Sequence, residues 1–553
     1  MTTQYYNLGT YSLPISTTQK EAQVWFDRGL NWTYSYNHQE AIVCFQRTAK
    51  IDPNCAMAYW GIAYASGPNY NMPWHVFDEA SRREALVNSF DATQRARAQL
   101  GNATQLEKAL INALTTRYPQ RQPIDDMRPW NQDFANRMRK VHATFSNSQD
   151  VCAIFAESLL NLTPWKMWNL AEGKPKEGAC TYECQNVLET ALSSMPNATN
   201  HPGILHCYVH LMEMSPTPEK ALKAGDTLRT LCPDAGHLVH MATHIDVLCG
   251  NYKDVVYWNQ RAINADFTYF HKEGANNLYT GYRLHNYHFV IYGAMLLGQL
   301  QPAIAALRGM KETTPLQVLQ IQSPPMADYF ESYLAMEPHV LIRFGRWEEL
   351  TKMRLPEDKE LFATLVANTH YGRAMAFAAL GKIIDAENEK QFFLQAKENV
   401  PETRLLHNNK VQELLKIATE TLEGEIAYRK GNDKQAFAHL RKAVELEDNL
   451  PYDEPWGWMQ PSRHALGALL FEQGHIEEAE IAYREDLGFS GQLSRATIHP
   501  DNVWALKGLY DCLLARNDKH EIKQIKYRLN VALARADQDI KASCFCAQVA
   551  MVP

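Results

Sequence analysis

No stretch of this chain approaches the 18 uninterrupted apolar residues that a membrane-spanning helix needs, so no membrane partner is expected. The opening residues, MTTQYYNLGTYSLPISTTQKE, lack a basic start followed by an apolar core. No secretory leader is expected there, and the expected location is cytoplasmic. Eleven cysteines in 553 residues have neither the density nor the spacing of a disulfide scaffold. They read as reduced thiols, Cys180 with Cys184 and Cys544 with Cys546 included. Basic residues do not outnumber acidic ones (55 against 62) and no basic face stands out, which argues against a nucleic-acid partner. HExxH, Walker, GxGxxG, GxSxG and CxxC motifs are all missing, and so is the alternating pattern of β-strands.

What the chain does have is histidine, concentrated. Nine of its 20 histidines fall in the 88 residues from His201 to His288, in HPGILHCYVHLME (201–213), GHLVHMATH (236–244) and HNYH (285–288), with His271 between. His206 and His240 are 34 residues apart, as are His210 and His244. That interval is one helix-turn-helix repeat of the tetratricopeptide type. Residues 22–55 resemble that consensus, with Gly29 where two helices approach, Ala41 and Phe45 as the small and large knobs, and Pro53 after the second helix. A further first helix, AMAYWGIAYA, precedes the loop SGPNYNMPW (66–74). Helical but irregular sequence follows to about Arg139, and TPWKMWNLAEGKPKEG is a loop long enough to act as a lid. GRWEEL, GKIIDAENEK, GNDKQAFAHLRKAV and GHIEEAEIAYRE each carry the glycine-then-alanine spacing that opens a second helix. The expected fold is all-α: a tetratricopeptide-like superhelix, or α-solenoid, enclosing a concave groove or channel, each repeat packing on its neighbours. Its expected segments are 1–66 (first repeats), 67–149 (irregular helical insert), 150–312 (histidine-rich repeats) and 313–553 (C-terminal repeats).

Repeat register places His237, His240 and His244 at the second, fifth and ninth positions of one first helix. His206, His210 and Glu213 take the fifth, ninth and twelfth of the preceding one, and His285 and His288 the second and fifth of the following one. The tetratricopeptide resemblance implies that these positions face the concave surface. Imidazoles four residues apart share a helix face, and packed helices lie about 8 to 10 Å apart, so rings from facing helices can close on one ion. Nitrogen-rich ligation suits copper, iron or zinc over magnesium or calcium. Seven histidines and a carboxylate exceed what one ion uses, so the expectation is one or two ions, with Glu213 as a ligand or general base. His201, before a Pro-Gly helix start, reads equally as a cap, and His271 reads as a solvated loop residue. Trp60, Tyr64, Glu157 and His464, with Glu425 and His339, occupy equivalent positions in other repeats; together with the loop residues Asn69 and Asn71 they are the candidate substrate contacts.

The three histidine segments resemble a bacterial and fungal branch of tetratricopeptide-like proteins with the patterns HPGxxHxxxHxxE, GHLxHMPxH and HNxHF. Ala242 stands where that branch has proline. The resemblance speaks to fold and not to reaction. The expected function is a copper or iron oxidoreductase or oxygenase acting on a small organic substrate. A zinc-dependent hydrolase or lyase is the close variant, and a non-catalytic scaffold binding a peptide partner is the alternative from another class.

Overall fold

A computed structural model describes residues 5–548. The architecture is all-α and built of helix pairs, each helix packing on the next in the chain, as in tetratricopeptide repeats. The chain forms two compact units, residues 5–245 with 261–272 and residues 246–260 with 273–548. Among the described residues no helix is long and apolar enough to cross a membrane.

In the first unit the helices Lys20–Tyr34, His38–Ile51 and Ala56–Ser66 form the repeat read from the sequence. Phe45 is fully buried, and its ring occupies the space that a Cβ on Gly29 or Gly61 would take, at 2.7 and 2.5 Å. Both first helices therefore close on one aromatic knob. The insert supplies Glu79–Ala98, Gln105–Arg117 and Arg128–Thr144, the second of these started by a Thr104–Glu107 capping box. Then come Gln149–Leu160, Thr181–Ser194, Pro202–Met212, Leu222–Leu231 and Gly236–Leu248, the last belonging to this unit through Ile245.

Strict neighbour-on-neighbour stacking does not hold in this unit. The Lys20–Tyr34 helix packs on Pro202–Met212, about 170 residues later. Asn7 N donates to Asp234 Oδ2 and Asp234 N to Asn7 O, while the Cys232 thiol donates to Leu8 O. An apolar N-terminal segment thus ties the first repeat to the histidine-bearing helices. The expected lid is also anchored: Trp168 and Asn169 pair with Pro175 and Lys174 in a two-residue hairpin, and Trp168 Nε1 donates to Leu211 O. Strands this short carry no alternation, so the sequence pattern could not reveal them.

The second unit repeats the same packing device. Tyr483 lies where a Cβ on Gly467 or Gly508 would fall, and its hydroxyl meets Ser543 Oγ at 2.6 Å. The turn between first and second helix has one form. At Gly250, Gly298, Gly345, Gly381, Gly431 and Gly474 the backbone is left-handed, with φ between +62° and +81°. There the amide bonds back to the carbonyl three residues earlier, and the next amide to the carbonyl five residues before it. Cys544 and Cys546, read from the sequence as free thiols, are joined in a disulfide, the first just before and the second within the short Phe545–Gln548 helix.

Replacing Gly61 by alanine in an exposed helix would add about 1 kcal/mol of stability. Here the new Cβ meets the Phe45 ring, so Gly61→Ala is expected to lower the urea midpoint instead. Phe45→Ala should cost about 3 to 5 kcal/mol, and the two changes together should be less destructive than their sum. An additive pair would show that the ring and the glycine do not constrain each other.

Candidate metal centre

His201 ends the turn before the Pro202–Met212 helix, and its Nδ1 accepts from Ile204 N at 3.1 Å. It is the cap of this helix, and its Nε2 lies 3.4 Å from Asp150 Oδ1. Pro202 at the first turn has no amide to satisfy, so the helix starts cleanly and carries His206, His210 and Glu213 on one buried side.

His206 Nδ1 lies 2.7 Å from the Tyr34 carbonyl. A carbonyl only accepts, so Nδ1 carries the proton and Nε2 the lone pair. That Nε2 is buried and has no hydrogen-bond partner. His210 Nδ1 lies 3.0 Å from Glu213 Oε1, and His244 Nδ1 lies 2.6 Å from Glu213 Oε2. One buried carboxylate thus orients two imidazoles on neighbouring helices. His244 Nε2 in turn lies 2.6 Å from His240 Nε2. His206, His210 and His237 each offer a ligand nitrogen within 4.8 Å of the other two. Burial pushes His206 down to about 3, with the neighbouring His240 adding to the effect against the pull of the Tyr34 carbonyl. Burial likewise holds His237 well below the ordinary imidazole value, followed by His206, His240 and His210. Both rings are neutral near pH 7, the form that binds metal.

Two tyrosines that the repeat register did not single out complete the wall. The Tyr36 ring centroid is 4.4 Å from that of His206, and the ring stacks on His210 at 5.9 Å and His237 at 5.7 Å. Tyr70 lies 4.4 Å from His210, and its hydroxyl accepts from Trp165 N. Tyr36 occupies the left-handed turn position, φ +55°, with the same backbone bonds as the six glycine turns. A bulky aromatic residue where six other turns use glycine is the signal that sequence reading could have used. Asn71 is brought to the centre, its Nδ2 3.5 Å from His237 Nε2. Asn69 shapes the same loop, its Oδ1 accepting from the amides of Asn71 and Met72.

Three of the candidate substrate contacts meet one another within this unit. Trp60 stacks on Tyr64 at 5.3 Å, and the Tyr64 hydroxyl donates to Glu157. The buried Arg117 guanidinium lies over the Tyr64 ring, so these three form a closed cluster of their own. Burial raises Glu157 while Arg117 and Tyr64 oppose it. His285 and His288 belong to the second unit. His285 stacks on His407 at 5.2 Å, and His288 Nε2 meets Met459 Sδ at 3.1 Å. His464 is also there, donating from Nε2 to Asp486 and accepting at Nδ1 from Arg343, so both ring nitrogens are engaged within the core. Glu425 pairs with Arg429, and His339 packs edge-on against Trp458. His271, expected in a loop, lies exposed near the end of the Tyr252–Glu273 helix. Ala242 leaves its helix continuous and packs against Gly225.

Two outcomes follow. At position 36, Tyr36→Gly and Tyr36→Ala both lose the ring, but only glycine relieves the left-handed backbone. The glycine variant should be the more stable by about 1 kcal/mol, the reverse of the order in a helix interior; equal midpoints would deny the strain. As for pH, His38 and His464 are pushed down to about 4, and His206 and His288 to about 3, by burial above all. Unfolded histidine titrates near 6.5, so below that value the unfolded chain binds more protons than the folded one. These histidines make metal-free protein lose stability as pH falls below about 6.5, while Glu447 and Asp27, raised by burial to about 7 and about 6, act in the opposite sense in the same window. The histidine share is read by difference: His38→Gln should lose less stability than the parent between about pH 6.5 and 5, and an unchanged pH slope would contradict neutral burial.

No known family's profile and no curated protein matches the chain. Solved structures resemble it at low identity. The human IFIT1 dimer with m7Gppp-AAAA is 14% identical over 94% of this chain and 91% of that one, with a TM-score of 0.30. Yeast Tom70 is 13% identical over 92% and 99%, with a TM-score of 0.27. The APC/C hetero-tetramer Cut9–Hcn1 is 13% identical over 96% of each chain, with a TM-score of 0.27.

Proposed function

We propose that the first unit holds a transition-metal ion on His206, His210 and His237, and that the protein is a metal-dependent oxidoreductase acting on a small organic substrate. His206 carries the reading. Its ring is sealed from water and neutral, its Nδ1 is committed to the Tyr34 carbonyl, and its Nε2 has no hydrogen-bond partner beside two further imidazoles. Metal–nitrogen bonds of about 2.0 to 2.1 Å let two ligand nitrogens stand at most about 4.2 Å apart. The trio therefore needs displacements of under about 1 Å to close on an ion.

Three neutral imidazoles without thiolate favour copper by affinity order, and the set lacks the carboxylate of the usual non-haem iron triad. Copper accordingly stands ahead of iron. Such an ion supplies one-electron chemistry and an open position for oxygen or substrate. Around it the chain's own groups hold and move protons. Glu213 keeps His210 and His244 in one tautomer, and the short His240–His244 contact can carry a proton between the two Nε2 atoms. Glu213 acts through these rings, as a positioning group. Zinc is the second reading, because three histidines with an open fourth position are also the ligand set of zinc hydrolases and lyases.

Elemental analysis of protein purified without an affinity tag tests the proposal. About one equivalent of copper, iron or zinc is expected, and His206→Ala combined with His237→Ala should reduce it at least roughly tenfold while the circular dichroism stays helical. Far less than one equivalent, with no uptake on titration with Cu²⁺ or Zn²⁺, would end the metal reading and leave a binding scaffold.

A further inference from the structure

Beside the histidine centre, still within the first unit, an open cavity of about 150 Å³ lies between the 73–75 loop, the start of the Glu79–Ala98 helix, residues 125–131 and the Asn161–Pro164 turn. A cavity of that size accepts a benzene-sized body. Its walls are the Trp74 indole with Pro73, Met127, Leu162 and Pro164.

Polar atoms in this cavity lack partners. Trp74 and Asn161 are each only 6% exposed, and neither Trp74 Nε1 nor Asn161 Oδ1 has a hydrogen-bond partner. Arg82 Nε is sealed from solvent and likewise without one. Buried polar groups left unpaired are costly and rare, and here they belong to three residues that line one concave site. Two are donors, an indole N–H and a guanidinium, and together they suit a carboxylate. Asn161, whose Oδ1 and Nδ2 both lack partners, can accept and donate, and so suits a hydroxyl on the same molecule. At the mouth, Asp126 is already paired with Arg128 at 2.8 Å, while Asp125 adds a negative charge that opposes a second anionic group on the ligand.

We infer that this cavity binds a small organic monocarboxylate with an apolar or aromatic body and a hydroxyl group, its carboxylate on Arg82 and Trp74 Nε1. The cavity is joined to the histidines through one loop. Trp74 and Pro73 line it, while Tyr70 and Asn71, a few residues earlier, touch His210 and His237. Trp165, next to Pro164, packs against Tyr70 with ring centroids 5.3 Å apart and donates its backbone amide to the Tyr70 hydroxyl. The ligand's role as substrate rests on the metal reading proposed above; its binding does not.

The test uses the full chain after chelator treatment, so that metal content plays no part. It is titrated with 4-hydroxybenzoate and, separately, with its methyl ester, following tryptophan fluorescence and calorimetry. The acid should bind one to one and at least roughly tenfold tighter than the neutral ester, the weight of a charge-assisted hydrogen bond. Arg82→Gln should remove that preference and Arg82→Lys should restore part of it. Trp74→Phe, which keeps an aromatic ring but deletes the N–H, should weaken the acid more than the ester; it decides the matter if Arg82→Gln does not fold. No saturable binding of the acid at millimolar concentration, equal affinity for acid and ester, or an unchanged acid preference in both Arg82→Gln and Trp74→Phe would overturn the inference. Each result stands whether or not metal analysis finds an ion.

Discussion

A carboxylate with no solvent exposure needs hydrogen bonds to both oxygens, and Glu213 receives them from the Nδ1 atoms of His210 and His244. That one requirement sets the tautomer of two imidazoles on two helices, so that the lone pairs sit on their Nε2 atoms. A ring free to flip would present a lone pair half the time and an N–H the rest. His206 reaches the same state by another route, the Tyr34 carbonyl of the first repeat. A charged acceptor and a neutral one therefore fix the lone pairs of three buried imidazoles.

The Tyr34 bond matters for a second reason, because it spans 172 residues. In an open solenoid a helix answers only to its neighbours. Here the first repeat is drawn onto the histidine helices, and Tyr36 arrives with it. Its left-handed backbone is strained by about 1 to 2 kcal/mol relative to glycine. The ring it delivers is 95% buried and lies against three imidazoles. Strain of this kind persists where surrounding packing over-determines it, and the closure of the unit supplies that packing.

Much of this was legible in the chain. The 34-residue interval placed His206 with His240 and His210 with His244, and a glycine before six of the second helices marked their turns. Gly29 and Phe45 proved to be facing knob and gap. Periodicity, however, assigns a residue to a face without saying what stands opposite. Tyr64 and Glu157 hold suitable positions, yet they meet each other and Arg117, which comes from outside the regular repeats. Tyr36 and Tyr70 escaped because contact across 170 or 140 residues leaves no local pattern. The His288–Met459 and Arg343–His464 contacts are long in sequence in the same way.

The irregular helical insert sets the loop that carries Tyr70 and Asn71 to the imidazoles. Arg117 Nη2 donates to the Pro68 carbonyl at 2.6 Å, and the Tyr118 hydroxyl fills the space beside Gly67, where a Cβ would stand 1.9 Å away. Only glycine lets the chain pass that point. The Asn69 turn then fixes the next residues, so Tyr70 and Asn71 point toward the imidazoles while Pro73 and Trp74 wall the neighbouring cavity. One short rigid loop thus has two faces with different chemistry. A ligand that settled against Trp74 would act on the same backbone that positions Tyr70, giving the cavity a direct mechanical path to His210.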